Sequence, residues 1–129
     1  MFAIGEVSRL SGVTIETIRY YEREGVLPNP ERSGSGRRMY SRDGLARIRF
    51  VKRSRDLGFS IAETRELLDL TAQAGQTCAQ VKPIAQSHRD AVDEKIRQLR
   101  SMRKALDDLI QECGRDQGEC PILDMLMSD

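Results

Sequence analysis

Apolar residues recur at helical spacing in the opening stretch, at Ile4, Val7 and Leu10, and Ser11-Gly12 breaks the run. Thr14 then stands as an N-cap for a second helix reaching about residue 24, with Ile15, Ile18 and Tyr21 turned inward. Two short helices about a glycine turn have the outline of a helix-turn-helix. Pro28 and Pro30 end regular structure, and residues 31–40 (ERSGSGRRMY) predict a small β-hairpin wing with Gly34 and Gly36 at its tip. Ser41 caps a third helix carrying Leu45, Ile48 and Val51. After the break at Leu57-Gly58-Phe59, Ser60 and Glu63 have capping-box spacing and open a fourth helix with Ile61, Leu67 and Leu68.

Past residue 72 the period changes. Thr77 with Gln80 fits an N-cap pair, while Pro83, best tolerated in a first turn, leaves the start of the next helix open. Ala85, Val92, Leu99, Leu106 and Cys113 then recur every seven residues, with Ile96 and Ile110, or Met102 and Leu109, between them. Such a seam predicts a two-stranded coiled coil; packing on the chain's own N-terminal domain is the alternative, and a seam this long more often finds a partner chain. Gly114 ends the helix, and GRDQGE forms a loop before Cys120-Pro121 and a last apolar turn of Ile122, Leu123, Met125 and Leu126.

Charge sharpens this outline. The net charge is +1, but residues 32–55 hold Arg32, Arg37, Arg38, Arg42, Arg47, Arg49, Lys52, Arg53 and Arg55 against the single acid Asp43. From residue 76 onward ten acids face eight bases. Both a phosphate-contacting module and a solvated arginine-rich helix face fit the basic block. With 39% hydrophobic and 5% aromatic residues, the core is modest for 129 residues, as in a helical chain that hides apolar surface in a dimer. No run approaches a membrane span, and the first residues lack a secretory pattern, so a cytoplasmic protein is expected.

Two sets of residues carry candidate chemistry. In a helix-turn-helix the first turns of the second helix meet base edges, which here means Thr14, Ile15, Glu16, Thr17 and Arg19, then Tyr20. Arg19 can pair bidentately with guanine or bind phosphate, and Tyr20 can reach phosphate through its hydroxyl. Arg37, Arg38 and Tyr40 on the wing would grip the backbone. Taken singly, Tyr20 or Tyr21 also fits a core place, and Arg19 also fits a pair with Glu16 or Glu22.

The second set is Cys78, Cys113 and Cys120, an odd count that argues against a disulfide framework and for reduced thiols. Thiolates suit Hg(II), Cd(II), Pb(II), Zn(II) or Cu(I). Cys113 and Cys120 flank a six-residue loop, so both sulfurs can reach one ion; a free thiol pair or a redox disulfide fits the spacing too. A helical segment over residues 79–112 would be about 50 Å long at roughly 1.5 Å per residue, which keeps Cys78 from sharing an ion with Cys113 of its own chain. Antiparallel pairing of two chains would instead bring Cys78 of one beside the other pair of the second. His88, the only histidine, is a seam-edge packing residue on this view, and Met102 and Met125 through Met127 are packing residues.

The segments IGEVSRLSGVTIETIRYYEREGVLP, RRMYSRDGLARIRFVKRSRDLGFS and IAETRELL, in that order from about residue 4 to 70, resemble the N-terminal domain of the MerR family of transcription regulators. The resemblance implies a winged helix-turn-helix dimer on a pseudo-palindromic promoter with an overlong spacer. Such a dimer represses at rest and, with effector bound, twists the DNA so that RNA polymerase can start. It favours the phosphate role for Arg19, Arg37, Arg38 and Tyr40. TCAQV and ECGRDQGECPIL are similar to the three-cysteine site of the metal-sensing branch, which implies Cys78, Cys113 and Cys120 as ligands. Within that branch, a cysteine at position 78 points away from copper(I) and silver toward a divalent ion. The absence of a second cysteine beside Cys113 and of a loop histidine weakens zinc, so Hg(II) ranks first, then Cd(II) or Pb(II).

The expected architecture is mainly α. Residues 1–72 form a winged helix-turn-helix DNA-binding domain, 78–113 an antiparallel dimerisation helix, and 114–129 a metal-binding loop with a C-terminal turn. An enzyme fits poorly, because no Ser/His/acid set, nucleotide loop or carboxylate pair in a plausible pocket appears. A thiol redox regulator joining Cys113 to Cys120 is the serious competitor, although it leaves Cys78 without a role. A sensor of organic ligands would typically carry a much larger C-terminal domain than the nine residues beyond Cys120.

Overall fold

A computed structural model describes residues 1–72, 78–114, 118 and 120–129. The chain runs β1 (Phe2–Ala3), α1 (Ile4–Ser11), α2 (Ile15–Arg23), β2 (Glu31–Arg32), β3 (Arg38–Tyr40), α3 (Arg42–Asp56), α4 (Ile61–Thr71), α5 (Cys78–Cys113) and α6 (Pro121–Met127). Contacts divide it into two units, Met1–Val81 and Lys82–Asp129, so the first turn of α5 groups with the N-terminal unit. No described helix is long and apolar enough to cross a membrane.

In the first unit, local chemistry sets where each helix begins. Thr14 Oγ1 accepts the Thr17 amide at 3.2 Å, Ser41 Oγ accepts the Gly44 amide at 3.0 Å, and Ser60 with Glu63 closes a full capping box. Each cap satisfies amides that a helix start leaves open, typically stabilising it by about 1 kcal/mol. The turn between α1 and α2 is pinned twice: Ser8 Oγ donates to the Val13 carbonyl at 2.6 Å, and the Val13 amide donates to Ser11 Oγ at 3.2 Å. Gly12 supplies the left-handed step there with φ 75°, a conformation that disfavours side chains.

Val7, Ile18, Ile48 and Val51, each at most 1% exposed, form the centre of the core, joined by Tyr21, Val26, Leu27, Tyr40 and Leu45. Burying Ile18 alone is worth about 1.5–3 kcal/mol, and it fixes which face of α2 looks outward. Leu10 and Ile15, both expected inside, lie differently: Leu10 is 37% exposed and Ile15 is half-buried. On α1 the core-facing row continues from Val7 to Ser11, four residues on, which leaves Leu10 at its margin. On α4 the fully buried side chain is Thr64, while Leu67 and Leu68 are half-buried.

The wing forms over residues 31–40, and its tip is closed by the Gly36 amide on the Ser33 carbonyl at 2.9 Å. One strand more than expected completes it. β1 pairs antiparallel with β3 (Phe2 with Tyr40, Ala3 with Met39), giving the sheet order β1-β3-β2.

In the second unit α5 continues to Cys113 with Pro83 inside it, which removes the hydrogen bond that would close on residue 79. The Thr77 cap lies outside the described residues. Gly114 follows the last helical residue, and the C-terminal apolar turn is a two-turn helix, α6, with Pro121 at its start. On the seam, Ile96, Leu99, Met102, Leu106 and Ile110 are 40–62% exposed in the single chain.

Candidate nucleic-acid interface and thiolate pair

Because Ile18 and Tyr21 hold α2 from the core side, Thr14, Glu16, Arg19 and Tyr20 lie on the exposed side, with Thr17 half-buried. Tyr20 is 42% exposed and tilts against the Tyr21 ring at a centroid distance of 5.9 Å. Thr14 Oγ1 also donates to Thr17 Oγ1 at 2.8 Å, which orients both hydroxyls at the helix start. Arg19 makes no ion pair among the described residues.

Arg19 from α2 meets Arg32, Arg37 and Arg38 from the wing around an open depression of about 380 Å³ floored by Ala3 and Ile4. Four guanidinium groups around one concavity attract anions, phosphate above all. The rest of the basic block is more occupied. Arg47 pairs with Asp43 at 3.2 Å and Lys52 with Asp56 at 2.8 Å, while Arg55 donates to the Phe59 carbonyl at 2.7 Å. Arg49 donates to the Leu10 carbonyl at 3.4 Å. The basic side chains of α3 are thus largely engaged within the chain, and guanidinium groups gather instead at the α2–wing junction.

Two wing residues are placed differently from a simple backbone grip. Tyr40 is buried, and its hydroxyl donates to Glu22 at 3.2 Å. Burial above all raises the phenol's pKa, so it keeps its proton. Arg38, partly buried, forms an ion pair with the same carboxylate. Glu22, considered in the sequence only as a partner for Arg19, is thus the partner of Arg38, sixteen residues away.

The second candidate site lies in the other unit. Cys113 ends α5, Cys120 precedes α6, and both are half-buried free thiols with their sulfurs 3.9 Å apart. Two thiolates about 2.3 Å from one tetrahedral ion would sit roughly 3.8 Å apart, so the pair fits a shared soft cation. The Leu123 amide, then Cys113 and the Ile122 amide, favour the Cys120 thiolate and hold its pKa below the ordinary value, without closing a full capping hydrogen bond. Among the described residues no third His, Cys, Asp or Glu joins them. Cys78 is exposed at the first position of α5, and His88 is half-buried.

A family model described as MerR HTH family regulatory protein matches residues 2–71, and one described as MerR, DNA binding, matches 45–109. The chain is 44% identical over 124 residues to the HTH-type transcriptional regulator HmrR of Rhizobium leguminosarum bv. viciae, covering 95% of each. It is 38% identical over 128 residues to the mercuric resistance operon regulatory protein of Bacillus cereus, covering 98% of this chain and 97% of that one. Among solved structures, the transcription regulator PbrR691 from Ralstonia metallidurans CH34 in complex with lead(II) superposes with a TM-score of 0.80 at 34% identity. That match covers 98% of this chain and 99% of the other.

Proposed function

The chain belongs to the MerR family of helix-turn-helix regulatory proteins, and from that premise we propose that it switches heavy-metal resistance genes as a homodimer. Promoter DNA is read by the outer face of α2, with Thr14, Glu16, Thr17, Arg19 and Tyr20 toward the bases and nearby phosphates. Arg37 and Arg38 of the wing take the backbone, and Tyr40 acts from beneath by holding Glu22. The effector is a soft divalent ion held by Cys113 and Cys120 of one chain and the partner's Cys78. The observation that carries the metal half is the convergence of two sulfurs at 3.9 Å where α5 ends and α6 begins. The third ligand rests on the length of α5, which has Cys78 and Cys113 at its opposite ends. Relatives named for mercuric resistance and lead(II) support a large, thiophilic ion, with Hg(II) first and Cd(II) or Pb(II) next.

In vitro transcription from the chain's own promoter, with RNA polymerase and a panel of Hg(II), Cd(II), Pb(II), Zn(II) and Cu(I), tests this reading. Activation is expected at the lowest concentration of Hg(II), then Cd(II) or Pb(II). Activation by peroxide with no response to any metal would replace it with thiol redox sensing.

The two arginine roles separate in binding assays. Arg19→Ala is expected to weaken binding about 5–150-fold, the equivalent of 1–3 kcal/mol, and to relax preference at one base pair. Arg37→Ala should weaken all sequences alike and lower the salt slope by about one per protomer. Affinities on point-substituted duplexes at several salt concentrations check both. Equal losses on every duplex for Arg19→Ala would assign that residue to phosphate.

A further inference from the structure

We propose that Glu22 is a positioning residue for DNA binding, which sets Arg38 for its phosphate and locks the wing to the recognition helix. The proposal rests on the DNA-binding reading and adds to it a residue that need not touch DNA. The Glu22 side chain is 5% exposed, which keeps its carboxylate out of reach of a duplex. A carboxylate so deeply buried is costly unless paired, and both its partners lie on β3: the Arg38 guanidinium and the Tyr40 hydroxyl. Among the described residues, the partners of the Glu22 carboxylate therefore cross from α2 to the wing.

The geometry also gives Arg38 two faces. One amino group is fixed on Glu22, while the side chain remains 26% exposed and lines the depression with Arg19, Arg32 and Arg37. A guanidinium carries five donors in a rigid fork, so a buried carboxylate can hold one edge while the rest serve a phosphate. Glu22 follows Arg19 by one helical turn, which fixes the base-reading side chain and the wing arginine in one frame. A rigid frame spares the entropy of ordering Arg38 on binding.

Glu22→Gln tests this with opposite signs for opposite accounts. The change removes a negative charge near DNA, so Coulomb attraction alone predicts tighter binding. Loss of positioning predicts weaker binding by about tenfold, with a salt slope lower by about one per protomer. Affinity is measured on a duplex that the wild-type chain selects from a random-sequence pool, beside circular dichroism and Hg(II) binding, both expected to be unchanged. In an Arg38→Ala background, Glu22→Gln should cost nothing further, because its effect runs through Arg38. Equal or tighter binding by Glu22→Gln, or the same loss in both backgrounds, would overturn the proposal. If Glu22→Gln does not fold, Tyr40→Phe decides: weaker binding by a folded variant supports positioning, and unchanged affinity overturns it. A wild-type chain that selects no duplex would overturn the DNA reading as well, whereas normal wild-type selection with an indifferent Glu22→Gln removes this proposal alone.

Discussion

Cys78→Ala and Cys113→Ala protomers, allowed to exchange subunits, are expected to regain metal binding that neither variant has alone. In an antiparallel dimer each site draws on both chains, so each pure variant lacks a ligand at both ends. In the mixed dimer one end lacks both residues and the other lacks none. Random exchange makes half of the dimers mixed, so about a quarter of the wild-type number of sites returns. Thiolate-to-Hg(II) charge-transfer absorption, read against excess small thiol, counts them. The same mixture should recover part of the metal-dependent transcription that each variant loses. A mixture as silent as its components would show that no site is shared between chains, whereas metal binding by Cys78→Ala alone would confine metal sensing to Cys113 and Cys120.

The second large effect concerns the seam. Leu99 and Leu106 are 62% and 53% exposed in the single chain, on the face that repeats every seven residues. Fully burying an exposed leucine is worth about 1.5–3 kcal/mol, and a little over half of each is still exposed, so the four of a dimer contribute roughly 3–7 kcal/mol. Replacing both by glutamate also sets like charges together. A dimer of nanomolar strength, about 12 kcal/mol, would then weaken to roughly micromolar or beyond. Analytical ultracentrifugation should find a monomer whose N-terminal unit keeps its helical signal, while promoter binding and shared metal sites are lost together. A variant that still sediments as a dimer would place the interface elsewhere.

These expectations divide by how local their causes are. Thr14, Ser41 and Ser60 announce helix starts because a cap is a contact three residues long, and the structure has all three caps. The wing was legible from its glycines and serines for the same reason. β1 was not, since two residues carry no period, and its existence depends on a partner thirty-six or more residues away. Thr64 occupies a core position that a hydrophobic pattern assigns to leucine or isoleucine. Glu22 reads as one more charge in an acidic and basic helix, and only the tertiary approach of β3 makes it a buried partner. The cysteines were legible as chemistry, while the 3.9 Å approach of two of them needed α6 to form.

The division of labour around α2 has a consequence for descent. Ile18 and Tyr21 are the buried side chains of that helix and Thr14 caps it, while Glu16 and Arg19 stand exposed. On the proposed DNA-binding reading, one copy can change its genomic address after gene duplication by substitutions at those two positions at little cost in foldability. The thiolate pair belongs to the other unit, so on the proposed metal-sensing reading the two copies can diverge in target first and in effector later, in separate mutational steps.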